Sequence, residues 1–240
     1  MGLDFRRADH LPNLRSGRDP WDPHQLPRQR RGMTAQMHGR YPDSDVLDQA
    51  RHWDERTRSV VYERIEHVPE LRFFDASEAA TLASFCDVVT AQDAEPRIPV
   101  LASVDAKLYE GRLDGYQYAG MPDDRDVWRL VARGLDEAAH GSFAGAGAAA
   151  QADIVAAFAR GELRGGTWQG LDTGRAWSVV IRAVIEAFYS HPWAWNEIGF
   201  SGPAYPRGYA ALGVGLSEPW EGTEVFEVDP VRDVQNRGIE

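Results

Sequence analysis

A chain of 240 residues, 43% hydrophobic and 10% aromatic, has enough apolar material to bury a core without covalent staples. Its single cysteine, Cys86, excludes an internal disulfide and a covalently attached haem, and the formal charge of −11 argues against nucleic acid as a general partner, since phosphate binding needs a positive surface. No apolar run reaches the ~18 residues of a membrane span.

The charge is unevenly spread. Met1 to Arg40 holds eight Arg against four Asp, net +4, so the remaining 18 basic and 33 acidic residues carry −15. With Pro12, Pro20, Pro23, Pro27 and Pro42 among few aliphatic residues, 1–42 reads as an extended basic arm, either solvated or reaching an acidic partner. The pairs Arg6-Arg7 and Arg30-Arg31 lack the apolar stretch of a twin-arginine export signal. A cytoplasmic location is therefore expected ahead of a periplasmic one reached by co-export.

From Asp43 or Ser44 a charged helix is expected to run toward Pro69 and to lie on the outside. Asp75 and Glu78 then form a capping box ahead of Leu82, Phe85, Cys86 and Val89, one apolar helical face in which Cys86 reads as a packing residue rather than a reactive thiol. Pro99 suits the first turn of a helix that turns Leu101, Val104 and Leu108 inward. After a polar loop, Asp123 or Asp124 caps a helix with Trp128, Val131, Leu135 and Ala138 on one side. GSFAGAGAAAQ reads as a small-residue hinge before a short helix around Ile154, Val155 and Phe158 that Gly161 or the Gly165-Gly166 pair closes. The widest stripe runs Trp177, Val180, Ile181, Val184, Ile185, Phe188 and predicts a central helix.

Beyond Pro192 no period holds, and a packed, irregular aromatic segment is expected, followed by an acidic tail over 216–240 with one edge strand, Thr223 to Val228. The whole is all-α: a single helical domain of about five or six helices over 43–215, behind the arm and ahead of the tail.

No dinucleotide fingerprint, phosphate loop, nucleophile elbow or HExxH occurs. A stand-alone metal or acid–base enzyme would have to assemble its site from His140, His191 and nearby acids, while helix-end and surface roles account for the histidines as they stand. Asp123 with Asp124 reads as helix capping, and Glu218 with Glu221 as a solvated face. A scaffold module using the basic arm is a further alternative. The one constellation that composition does not predict is the ring cluster Trp193, Trp195, Phe200, Tyr205 and Tyr209, where core closure and a partner surface are both open and both can hold for different rings.

Over about Leu71 to Leu212, the strings FCDVVTAQDAEPRIPV, GRLDGYQYAGMPDDRDVWRLVARGLDEAA and FYSHPWAWNEIGFSGPAYPRGY resemble the gluconate 2-dehydrogenase subunit 3 family. The resemblance implies a helical small subunit, with no catalytic, cofactor or metal residue of its own, that stabilises or matures a large flavoprotein of the glucose-methanol-choline class. FAD and the oxidation of a sugar, glycoside or alcohol would then belong to that partner in a hetero-oligomer. The contacts expected on this reading are Trp193, Trp195, Asn196, Tyr205, Arg207 and Tyr209 as an anchor, with Arg28, Arg30 and Arg31 of the arm as electrostatic support.

Overall fold

A computed structural model describes Tyr41, residues 44–93, 95–211, Gly213, Leu216 and residues 218–222. The arm, with Arg28, Arg30 and Arg31, and the edge strand expected over Thr223 to Val228 lie outside the described residues. Among the described residues there are seven α-helices, two 3-10 helices and no strand, so the fold is all-α. Its contacts gather into two compact units, one of the residues up to Glu66 together with those from Pro192, the other of His67–His191.

The unit His67–His191 holds five of the helices: α2 (Ala76–Val89), α3 (Val100–Tyr109), α4 (Asp124–Ala138), α5 (Ala148–Ala159) and α6 (Thr173–Tyr189). The capping box forms as its spacing requires. Asp75 accepts from the Ser77 and Glu78 amides, and Glu78 takes the Asp75 amide. Leu82, Phe85 and Cys86 are buried, and burial first, then the charge of Asp87, pushes the Cys86 thiol far above its ordinary value. That is a packing cysteine.

Pro99 stands one position ahead of the first turn, as the N-cap of α3, and Leu101, Val104 and Leu108 face inward. Asp105 joins them with no exposure at all, its carboxylate accepting the amides of Arg72, Phe73 and Phe74 at 2.7 to 3.2 Å. It thereby ties the segment before α2 onto α3. Asp123 caps α4 through the Arg125 amide, and Trp128, Val131 and Leu135 are buried.

Two expectations fail in this unit. The hinge is no hinge: Ala148 to Gln151 already belong to α5, and Phe143 is fully buried, with its amide on Asp136 and its carbonyl on the Gln151 side chain. The face of α6 is also rotated from the widest apolar stripe. Its buried residues are Thr173, Ala176, Val180, Val184 and Phe188, and Ile185 is left 46% exposed. Still, α6 packs on α3, α4 and α5, as a central helix should. Edge-to-face and tilted rings finish the core: Phe158 lies 5.1 Å from Trp168, 5.2 Å from Trp177 and 6.1 Å from Phe85.

The other unit holds α1 (Glu55–Glu66) and α7 (Pro192–Glu197). Here the single charged helix expected from Ser44 is two pieces, a 3-10 helix Val46–His52 capped by Asp45, then α1. The break is at Trp53, which is fully buried in extended backbone with its indole N–H on the Pro203 carbonyl, after which Asp54 recaps the chain through the Thr57 amide. As expected of an outer helix, α1 exposes its charged side and buries only Val61, Tyr62 and Ile65, while Val46, Leu47 and Ala50 of the 3-10 piece are buried as well. α7 packs on both pieces.

Candidate functional site

The expected anchor cluster splits by depth. Trp193, Trp195 and Asn196 lie on α7 and are buried. Trp195 meets Phe200 edge to face at 5.4 Å with the Arg64 guanidinium 5.8 Å from its ring centre, and Asn196 Oδ1 accepts the Val46 amide at 2.7 Å. Pro192 starts this turn, which makes a short helix of what sequence presents as irregular.

Tyr205 and Tyr209 go the other way, 53% and 49% exposed. Arg207 between them donates to Gln49 Oε1 at 2.7 Å and lies over the Trp220 ring at 4.3 Å. Glu218, expected on a solvated face with Glu221, is buried instead, because its carboxylate takes the amides of Ala210 and Ala211 while its own amide goes to Glu221.

A second surface, which the sequence did not single out, lies in the unit His67–His191. Between α3 and α6 is a cavity of about 210 Å³ lined by Ser103, Lys107, Ala183, Glu186, Ala187 and Ser190, among others. Its small side chains follow from the close approach of the two helices. At the rim, Lys107 Nζ bridges Asp114 at 2.9 Å and Glu186 at 2.7 Å, and Arg182 completes the cluster on the other Asp114 oxygen at 3.0 Å. The hydrogen bond from Lys107 leads the effects that hold the Asp114 carboxyl below its usual range. For Lys107 burial pulls downward, but hydrogen bonds to Glu186 and Asp114 outweigh it and the amine is raised.

These charges fix the loop after α3 while leaving its apolar groups outside. Arg175 bonds the Ala119 carbonyl at 2.6 Å, and Arg182 lies over Tyr116 at 4.8 Å. Tyr109, Leu113 and Tyr116 are nevertheless 52%, 37% and 54% exposed, as is Ile185 on α6 at 46%. Tyrosines and arginines are enriched at protein interfaces, where tyrosine gives large contact area at low entropic cost and arginine adds directed hydrogen bonds. The available clue in sequence was the pair of tyrosines in an otherwise polar loop. The ion cluster was hidden because Lys107 and Glu186 stand 79 residues apart.

His140 is the left-handed residue that ends α4, at φ 54°, and His191 is buried just after α6. Among the described residues no group of three or more His, Cys, Asp or Glu could hold a metal ion, and no helix is long and apolar enough to cross a membrane. The Asp124 carboxyl is raised by burial first and by Asp123 and Asp114 next, while Asp123 is engaged as the cap.

The exposed aromatic groups of this all-α chain are held in place by buried or bridged charges. The chain belongs to the gluconate 2-dehydrogenase subunit 3 family, whose family model matches residues 76–202, more than half of its length. No curated protein and no solved structure matches it. The matched span runs from α2 through α7 and includes the groove between α3 and α6, whereas Tyr205, Arg207, Tyr209 and Trp220 follow it.

Proposed function

We propose that this chain is the non-catalytic small subunit of an FAD-dependent sugar, glycoside or alcohol dehydrogenase of the glucose-methanol-choline class, which it stabilises or helps to mature. Membership of a family of dehydrogenase subunits carries this reading. The exposed tyrosine loop and the groove it borders supply a docking surface of the right composition. On this reading the flavin belongs to the large subunit, in keeping with the lack of a glycine-rich phosphate loop in this sequence, and that subunit would bury the loop and the groove in the complex.

The test is co-expression with the large flavoprotein encoded in the same host, followed by co-purification and a visible absorption spectrum. A yellow complex and a colourless isolated chain are expected. Tyr109→Asp with Ile185→Asp changes two half-exposed side chains, so the fold should survive while recovery of the complex falls about ten-fold or more. Recovery at the wild-type level would remove the groove from the interface, and a folded wild-type chain that captures no flavoprotein would overturn the subunit reading itself.

A further inference from the structure

The end of α3 sets two cations at one opening. Gly111, at φ +70°, turns the chain back so that its amide bonds the Leu108 carbonyl at 3.2 Å and the Arg112 amide bonds the Lys107 carbonyl at 3.0 Å. Arg112 is thereby placed against the turn that carries Lys107, and both line the cavity of about 210 Å³ between α3 and α6. Those two carbonyls, at the negative end of the helix, are taken up by amides. The cavity is open to solvent, since Arg112 and Glu186 in its lining have side chains 63% and 58% exposed.

An ammonium has three donors, and Lys107 uses two, on Asp114 and Glu186. Arg112 gives Nε to Glu110 at 2.6 Å, and among the described residues its two terminal nitrogens bond nothing. The cluster around Lys107 is balanced, Lys107 and Arg182 against Asp114 and Glu186, whereas Glu110 faces two cations, Arg72 and Arg112. These linked pairs are thus one positive charge in excess, in a chain whose formal charge is −11. Their surround is apolar. Val68, Leu113, Ile185 and Tyr189, all exposed, are the chain neighbours of Pro69, Arg112, Glu186 and Ser190 in the lining. A small free anion would match the charge and leave those groups in water, while an acidic side chain set among apolar ones covers both. We infer that the cavity receives one carboxylate, the side chain of an Asp or Glu on an apolar surface of the large dehydrogenase subunit, bonded by Arg112 and the remaining donor of Lys107. The inference rests on the subunit reading above and adds the chemistry of one contact.

Three variants of the full chain, each titrated with the large subunit, test it. Arg112→Gln removes the charge and Arg112→Lys keeps it. Arg160→Gln removes the same charge from a comparably exposed ion pair, Arg160 with Glu162, that does not line the cavity. The Arg112 amide that closes α3 is untouched, so all three should melt with the wild type. Arg112→Gln should bind the large subunit about ten-fold more weakly and with a smaller dependence on salt, and the other two should bind within about two-fold of wild type. Wild-type affinity in Arg112→Gln, or an equal loss in Arg160→Gln, overturns the inference and leaves the subunit reading intact. An equal loss in Arg112→Lys also overturns it, because the interface would then use the shape of the arginine and not its charge. A folded wild-type chain that binds no flavoprotein overturns the subunit reading and the contact together.

Discussion

The two units fasten an irregular segment with the same device, a buried carboxylate that collects backbone amides, yet its surroundings differ. Asp105 is enclosed by α3 and the segment before α2, and among the amides it holds is that of Phe74, itself buried. Glu218 serves Ala210, which is exposed, and Ala211 beside it. At the buried Phe74 amide water cannot replace the lost acceptor; at Ala210 it can. A carboxylate in the same role therefore contributes differently in the two places, because the cost of removal is set by what the orphaned donors meet.

The largest predicted effect follows from that difference. Asp105→Ala leaves three amides without their acceptor and should destabilise by roughly 3–5 kcal/mol, against roughly 1 kcal/mol for Glu218→Ala. Denaturant unfolding of the full chain measures both, and equal losses would break the comparison.

A pair of glycine substitutions sharpens it. At Gly202, φ is +78° and an added Cβ would meet the Trp53 ring at 2.6 Å and Val46 at 2.8 Å, so Gly202→Ala combines backbone strain with overpacking, about 2–4 kcal/mol. Gly134 lies within α4, where alanine ordinarily stabilises by about 1 kcal/mol. Here its Cβ would stand 2.4 Å from the Trp168 ring, whose N–H bonds the Gly134 carbonyl, so the sign should reverse to a loss of about 1–2 kcal/mol. A stabilised Gly134→Ala would mean that Trp168 can leave its seat.

The contrast also explains what could be read in the amino-acid order. Asp75, Asp123 and the stripes of α2, α3 and α4 were legible because capping and helical periodicity act within a few residues. Trp53, Gly202 and Asn196 were not, since each gets its role from a partner about 150 residues away: the Pro203 carbonyl for Trp53, the Trp53 ring for Gly202 and the Val46 amide for Asn196. For the same reason composition left Trp193 and Trp195 open between core and interface, and only position shows them buried while Tyr205 and Tyr209 remain outside. Period showed that α6 is apolar around much of its circumference, but only packing against α3, α4 and α5 decided that Ile185 would be the residue left out.

The smallest effect concerns the loop after α3, held by charge where the core is held by packing. Asp114 has a folded pKa below its ordinary 3.8, so folding favours its ionised form. Its contribution is complete above that value and disappears as the pH falls through the depressed one. Lys107, raised above 10.5, contributes at every pH below that and loses its contribution only as the pH rises through the raised value. Between the two limits the rim stays bridged. Solvent screens these partly exposed groups, so acid should release the loop without unfolding the unit. Hydrogen exchange of amides 115–120 should quicken near the lower limit while those of α4 stay protected, and Asp114→Asn should produce the same local quickening at neutral pH. Exchange in Asp114→Asn identical to wild type would show that the loop's other bonds, among them those of Arg175 to the Ala119 carbonyl and of Gln117 to the Met121 carbonyl, are enough to fix it.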